Sequence, residues 1–265
     1  MRLRSLIAAV ILTIAQSSGA ETVKLNSIAH VAFRVSDLEK ATQFYARLGF
    51  ESPFHFTDEG KVTEVFVKVN DDQFVELYPR AEPSQKLGLM HVCFGTDDIE
   101  SVRQEFVHRG LNPPEAKKGR AGNVLFAIHD PESQLVEFSQ YMPDSLHWLD
   151  RGKHLGDRIA TQLQKVTEPV KDAPSEYAFY STKLGLGKAS QSSALRLPQN
   201  PGEELAFKSA SAEPAARIYF LVEDVKRTRK ALKQRGFNPR LEHGAIILRD
   251  PDGNEVAFRT VQSSK

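Results

Sequence analysis

The stretch Phe44-Tyr45-Ala46-Arg47-Leu48-Gly49-Phe50 returns later in the chain as Phe179-Tyr180-Ser181-Thr182-Lys183-Leu184-Gly185-Leu186. Two further landmarks return in the same order. Arg109-Gly110-Leu111-Asn112-Pro113 is repeated as Arg235-Gly236-Phe237-Asn238-Pro239, and Asp130-Pro131 is repeated as Asp250-Pro251. Ordered self-similarity of this kind indicates a chain built from repeated structural units.

Each unit begins with an alternating strand and continues into a helix and further strands. In the first unit the strand is Ile28–Val35, and apolar residues recur at helical spacing between Asp37, a suitable N-cap, and Gly49. Strands are predicted near Val62–Val69 and Gln73–Tyr78. In the second unit, Leu89–Gly95 precedes a helix capped by Asp97 or Asp98, and strands follow at Asn123–His129 and Gln134–Tyr141.

Composition narrows the class of protein. The 265 residues contain 35 basic and 34 acidic side chains without a basic block, which argues against a nucleic-acid partner. Cys93 is the only cysteine, so no disulfide can form within the chain.

The first twenty residues have the pattern of a secretory signal peptide. Arg2 and Arg4 precede the apolar run Leu6–Ala15, and Gln16-Ser17-Ser18-Gly19-Ala20 resembles a cleavage site. The run is about half of what a spanning helix needs, although an uncleaved membrane anchor is the alternative. We expect export to the periplasm or medium, and no membrane association after cleavage. The expected organisation is then a signal peptide (1–20), a first domain (24–144), a linker (145–157) and a second domain (158–262).

Strand alternation places one potential metal ligand per strand on the face away from the apolar packing. These residues are His30, Glu76, His91 and Glu137. Imidazole and carboxylate donors together suit a divalent ion such as Ni, Zn, Co, Mn or Fe. The alternative for any one of them is an ordinary hydrogen-bonded core or surface residue. Cys93 shares a face with His91 but is interpreted as a small core residue.

The other six histidines fall outside matching strand positions, and most of them are expected to be solvated loop or helix-surface residues, with His129 a candidate neighbour of the ligands. They are His55, His108, His129, His147, His154 and His243.

These features resemble the vicinal oxygen chelate superfamily, which includes glyoxalase I, methylmalonyl-CoA epimerase, extradiol dioxygenases and the bleomycin resistance proteins. Phe44–Phe50 and Asp250-Pro251-Asp252-Gly253-Asn254 look like its helix-end and hairpin-turn motifs. The resemblance covers residues 24–262. It implies an α+β fold in which four β-α-β-β-β modules pair into two glyoxalase-like domains with curved, mainly antiparallel sheets.

The resemblance also implies that His30, Glu76, His91 and Glu137 match the four metal ligands of glyoxalase I. In the second half the alignment places Lys165, Phe207, Arg217 and Ala257 at the corresponding positions. None of these residues would rebuild the site. We therefore expect one metal-binding half and one degenerate half.

The activity implied is that of a glyoxalase-like lyase or isomerase acting on a small hydroxy-carbonyl substrate. Glu137, or alternatively Glu76, would move the carbon-bound proton. Arg34 and Arg120 are candidates to hold glutathione by charge only. Export separates the chain from cytosolic glutathione, so lactoylglutathione is not the expected product. Two alternatives remain: an Fe(II) extradiol-type dioxygenase using His30, His91 and Glu137, and a non-catalytic binding protein. The expected assembly is a monomer or homodimer.

Overall fold

A computed structural model describes residues 22–188, 194–209 and 215–260. The first half contains eight strands and two helices in the order β1 (Ser27–Val35), α1 (Leu38–Arg47), β2 (Glu51–Asp58), β3 (Lys61–Lys68), β4 (Phe74–Pro79), β5 (Gly88–Gly95), α2 (Ile99–His108), β6 (Lys117–Lys118), β7 (Val124–His129) and β8 (Leu135–Gln140). A short helix, α3 (Leu146–Leu149), follows. The second half contains β9 (Gln162–Val170), α4 (Ala173–Thr182), β10 (Gly187–Lys188), β11 (Ala194–Arg196), β12 (Glu204–Ser209), β13 (Arg217–Leu221), α5 (Val225–Gln234), β14 (Arg240–Glu242), β15 (Ala245–Arg249) and β16 (Glu255–Arg259).

The strands form two curled sheets of eight strands with the same topology. The orders are β2-β3-β4-β1-β5-β8-β7-β6 and β10-β11-β12-β9-β13-β16-β15-β14. In the first sheet β1 pairs with β4 and β5 with β8 in parallel, while the remaining pairs are antiparallel. The predicted fold class, with paired modules and mainly antiparallel curved sheets, is confirmed.

Capping side chains and a glycine determine where the first two helices begin and where α1 ends. The Asp37 side chain accepts a hydrogen bond from the Lys40 amide at the start of α1, and Asp98 rather than Asp97 caps α2 in the same way. Gly49, just after α1, has φ +85°, and a Cβ there would lie 1.9 Å from the Asp157 carbonyl oxygen. Only glycine allows this turn and this close approach of the chain.

The two halves share one hydrophobic core. Phe50 in the first half contacts Phe220 in the second with ring centroids 5.1 Å apart, and Phe44 contacts Phe237 at 5.5 Å. Aromatic pairs of this kind add stability beyond the area they bury. The shared core explains why the repeated Phe44–Phe50 motif is rich in large apolar residues.

Two strands of the first sheet, β2 and β6, were not predicted from the sequence. β2 carries an irregular mixture of polar and aromatic residues and is largely exposed, so alternation is weak, and β6 is only two residues long. Residues 145–157, predicted as a linker, include α3 and are held against the first sheet. There the buried Lys68 ammonium donates to the Asp150 carbonyl oxygen at 2.6 Å and carboxylate at 2.8 Å.

The predicted signal peptide, residues 1–20, lies outside the described residues. Within the described ranges, no helix has both the length and the apolar composition needed to cross a membrane.

Candidate metal centre

The strand register brings the four predicted ligands onto one face of the first sheet. β1 lies between β4 and β5, so that Ala32 is opposite both Glu76 and His91. His30, two residues earlier on the same face, is opposite Cys93, and Cys93 is opposite Glu137 on β8. Residues directly opposite each other on neighbouring strands point the same way. Four strands therefore direct these side chains into one space.

His30 is the centre of the cluster. Its Nε2 atom is 3.0 Å from His91 Nε2 and 3.5 Å from Glu137 Oε1, while its Nδ1 atom is 3.2 Å from Glu76 Oε1. Two groups of possible ligands share it: His30 with Glu76 and His91, and His30 with Cys93 and Glu137. Within each group the donor atoms lie within 4.8 Å of one another.

Burial disfavours every charge in this cluster. It holds the pKa of His30 well below its ordinary value and lowers that of His91 to about 4. Burial raises the pKa of Glu137 to about 7 and that of Glu76 well above its usual range, where nearby Glu64 adds to the rise. The site therefore combines two neutral imidazoles with carboxyl groups whose ionised forms are disfavoured by burial.

Glu64 is a residue that sequence reasoning missed. The Tyr78 hydroxyl lies 2.5 Å from Glu64 Oε1 and 2.9 Å from Glu76 Oε2. One phenolic hydrogen cannot serve two carboxylates at once, so a second proton on one carboxyl completes the chain of hydrogen bonds. Burial raises the pKa of Glu64, which agrees with that sharing. No sequence signal marked it, because its half-exposed strand position is typical of a solvated glutamate.

A cavity of about 190 Å³ opens onto the cluster. Arg120 lines it, held by two contacts of 2.8 Å to Asp58 and stacked over the Phe56 ring at 4.4 Å. The other candidate by charge, Arg34, is not among the cavity residues and donates instead to the Lys86 carbonyl oxygen. Of the two arginines, only Arg120 is placed to meet a bound molecule.

His147 corrects a prediction. Most of the six remaining histidines are expected to be solvated, and His55, His108, His129, His154 and His243 are exposed, but His147 is only 2% exposed. Its ring stacks on Tyr141 with centroids 4.5 Å apart, its Nδ1 atom contacts the Asn123 amide at 2.9 Å, and it lines the cavity. Its Nε2 atom is buried without a hydrogen-bond partner. The histidine comes from α3, beyond the repeated unit, so the strand comparison had no matching position for it.

Cys93 is fully buried, as expected of a small core residue, yet it lies beside the ligands. Burial, with a contribution from Glu137, raises the pKa of its thiol well above the ordinary value. The group is held as a neutral thiol.

The donor set fits a divalent ion. Two imidazole nitrogens 3.0 Å apart and a carboxylate oxygen 3.5 Å away match the spacing of atoms that share one ion at roughly 2.1 Å. His30 Nδ1 is buried without a hydrogen bond, and burial makes ionisation of Glu76 and Glu137 costly, a cost that a bound cation would offset. The residues that would hold the ion are His30, His91 and Glu137, with Glu76 as a fourth ligand or as the group that orients the His30 ring.

The second sheet carries no such donor set among its described strands. Strand pairing places Lys165 at the position of His30, Arg217 at that of His91 and Ala257 at that of Glu137, as predicted. The predicted counterpart of Glu76, Phe207, is wrong by one residue. Ala206 is opposite Thr167 as Glu76 is opposite Ala32, so Ala206 is the counterpart. Phe207 faces the core, because a one-residue shift moves a side chain to the other face.

Comparison with known proteins gives the family. The model of the Glyoxalase/Bleomycin resistance protein/Dioxygenase superfamily matches residues 27–138. The mitochondrial methylmalonyl-CoA epimerases of Mus musculus and Bos taurus are 31% and 32% identical over 132 residues, covering 44% of this chain and 74% and 75% of theirs. The chain belongs to this superfamily.

Solved structures extend the likeness in fold across both halves. The Mn(II)-bound glyoxalase from Novosphingobium aromaticivorans has a TM-score of 0.64 at 17% identity, covering 89% of this chain and 82% of its own. The 2,3-dioxygenase LapB from Pseudomonas sp. KL28 has a TM-score of 0.65 at 17% identity, covering 90% and 93%. At these identities the likeness establishes the fold alone, and that fold is found in one glyoxalase and one dioxygenase.

Proposed function

We propose that the chain is a metal-dependent lyase or isomerase that moves a proton at a carbon next to a carbonyl group of a small hydroxy-carbonyl substrate. The observation that carries this is Glu137, a carboxyl with a pKa raised by burial to about 7. It lies 3.5 Å from the central histidine and lines the cavity. A base acts best when its pKa is near the working pH.

A divalent ion held by His30, His91 and the Glu137 carboxylate would supply Lewis-acid polarisation of the substrate oxygens, and Glu137 is the ligand that would let go of the ion to act as base. The protein supplies the rest. Glu137 takes the carbon-bound proton and returns it to the same or the neighbouring atom, and the apolar walls at Phe56 and Phe66 keep water from competing. Arg120 at the cavity wall binds an anionic part of the substrate.

Glu76 is the other candidate base. Its carboxyl is tied to the Tyr78 hydroxyl at 2.9 Å and, through it, to Glu64, so a proton taken there can be shared along a chain of hydrogen bonds. That chain restrains the movement of Glu76, whereas Glu137 has no comparable tether to a strong donor. We therefore assign the base to Glu137 and ligand orientation to Glu76.

The curated relatives favour the isomerase form of the proposal, because epimerases invert a carbon centre. Hydrogen exchange in deuterated water tests it without knowledge of the product. Loss of the α-proton signal from a panel of hydroxy-carbonyl compounds is followed by nuclear magnetic resonance with metal-loaded protein. Wild type is expected to exchange one compound, and Glu137→Gln to exchange none while keeping more metal than His91→Ala. Exchange that survives in Glu137→Gln would contradict the assignment.

An Fe(II) extradiol-type dioxygenase is the second candidate, and one observation favours it. His30 Nε2 faces His91 and Glu137, while Glu76 lies on the Nδ1 side of the ring. Two histidines and one carboxylate with open positions are the ligand set of non-haem iron oxygenases. Oxygen uptake by the Fe(II)-loaded protein with catechols, absent with Mn or Ni, would replace the isomerase proposal.

Export is proposed from the sequence of residues 1–20 alone. Expression of the full chain in a bacterium followed by mass spectrometry of the periplasmic protein is expected to give a mature chain beginning at Glu21. A full-length protein confined to the cytosol would contradict export and leave the proposal for the metal site untouched.

A further inference from the structure

The second sheet keeps the geometry of the metal face but reverses its charge. Lys165 is opposite Tyr219 as His30 is opposite Cys93, so the two sheets can be compared position by position. Both imidazoles are replaced by cations, Lys165 and Arg217. Both carboxylates are replaced by methyl groups, Ala206 and Ala257. The face of the first sheet therefore suits a metal cation, whereas the equivalent face of the second sheet repels one.

Acidic partners on this face are too few for the cations they meet. Glu204 is shared by three, at 3.7 Å to Lys165, 3.2 Å to Arg259 and 3.6 Å to Arg196. Glu255 is likewise shared by Arg217, Arg240 and Arg249, and Glu242 adds one contact to Arg217 at 3.0 Å. In the described part of this face, six cations therefore meet three carboxylates.

The excess charge is concentrated near the middle of the sheet. The Lys165, Arg259 and Arg217 side chains are only 15%, 20% and 21% exposed, so water screens them incompletely. Uncompensated charge in a partly buried position is costly unless a counter-ion is present. A surface network of balanced ion pairs would not show this surplus.

Tyr219 lies among these cations. The Arg259 guanidinium is 5.0 Å from its ring centroid, and Lys165 and Arg217 are each 5.8 Å away. The neighbouring floor consists of the buried side chains of Ala245, Ile247 and Ala257. Ala206 and Ala257 stand where the first sheet has carboxylates, so the Tyr219 ring and the surrounding cations rest on a buried apolar layer.

We infer that this face of the second sheet binds a small organic or inorganic oxyanion, a carboxylate or a phosphate, between Lys165, Arg217 and Arg259. The guanidinium groups match the paired oxygens of either anion. The half-buried Tyr219 ring would contact an attached apolar group. The site shares no residue with the metal centre and does not depend on the proposed reaction.

The test uses the full mature chain stripped of metal with a chelator, since anions also bind metal ions. Inorganic phosphate and phthalate are titrated by calorimetry at constant ionic strength. We expect saturable binding of at least one probe, weakened about tenfold in Lys165→Met by the loss of one charged contact. Lys230→Met, which removes an exposed cation on α5, is the control and should leave the affinity unchanged. The probe that binds more tightly identifies the phosphate or the carboxylate as the preferred group.

Glu204→Gln separates binding from a purely structural network. Removing this shared carboxylate adds one unit of positive charge, so anion affinity is expected to rise by about tenfold. Arg259→Gln, expected to weaken binding, replaces Lys165→Met if that variant fails to fold by circular dichroism. The inference is overturned if neither probe binds, if binding is unchanged in the folded lysine or arginine variant, or if Glu204→Gln weakens it.

Discussion

Replacing Glu137 by glutamine is expected to stabilise the metal-free protein at alkaline pH. Burial raises the pKa of this carboxyl from 4.5 to about 7, and 15% of the side chain is exposed. The difference of about 2.5 units corresponds to about 3 kcal/mol, at about 1.4 kcal/mol per unit. That is the amount by which ionisation of Glu137 lowers the free energy of unfolding.

The folded and unfolded states bind different numbers of protons at Glu137, and this difference determines how the free energy of unfolding changes with pH. Between pH 4.5 and about 7 the folded state keeps the Glu137 proton that the unfolded chain has released, so the free energy of unfolding falls as pH rises. Above that window the full penalty is present, and below it none is. Glutamine carries no charge at any pH. The gain in Glu137→Gln is therefore largest near about pH 8 and close to zero near about pH 4.5.

Urea unfolding followed by circular dichroism, with a chelator present, measures the difference at both pH values. Glu82→Gln, at an exposed glutamate, is the matched control and should change neither curve. With saturating metal the order is expected to reverse, because an ion that binds the folded wild type stabilises it by mass action. A Glu137→Gln protein that is no more stable than wild type at alkaline pH without metal would refute the reasoning.

Three further predictions concern the same half of the chain. Metal affinity, measured by chelator competition, is expected to rise about tenfold per pH unit up to about pH 7 and then to level off. The reason is that the ion displaces the Glu137 proton when it binds. Equal affinity at about pH 5.5 and 7.5 would contradict this. Lys68→Met is expected to lower the free energy of unfolding by about 3 kcal/mol, since it leaves the buried Asp150 without its cation, whereas exposed Lys61→Met should change it little. His147→Ala is expected to cost about 3 kcal/mol by opening a cavity between aromatic rings, and His147→Phe clearly less; similar losses in both would show that the Asn123 contact dominates instead.

The parts of this molecule that strand alternation governs could be predicted from sequence. His30, Glu76, His91 and Glu137 each lie between apolar residues that must face the core, so their own direction was determined, and parallel pairing of the repeated strands brought them together. Helix starts were equally local, since Asp37 caps α1 through a side-chain contact three residues away.

The features that could not be predicted depend on contacts outside the repeated unit or on the pairing register of a short strand. The counterpart of Glu76 was misplaced because the short strand β12 offers no marker for its register, and one residue separates Phe207 in the core from Ala206 on the open face. His147 is brought to the cavity by α3, which Lys68 and Asp150 hold in place over a separation of 82 residues. Glu64 joins the site through its contacts with Tyr78 and Glu76, and the sequence pattern marks neither contact.

Metal content by mass spectrometry tests the central claim most directly. Wild-type protein spanning residues 21–265, incubated with Ni, Zn, Co, Mn or Fe(II) and desalted, should retain about one ion per chain. His91→Ala should lose it, while His55→Ala, at an exposed histidine on β2, should keep it. Retention of no ion by the wild type, or equal retention by His91→Ala, would contradict the metal centre. The remaining interpretation would then be a non-catalytic protein that binds small molecules.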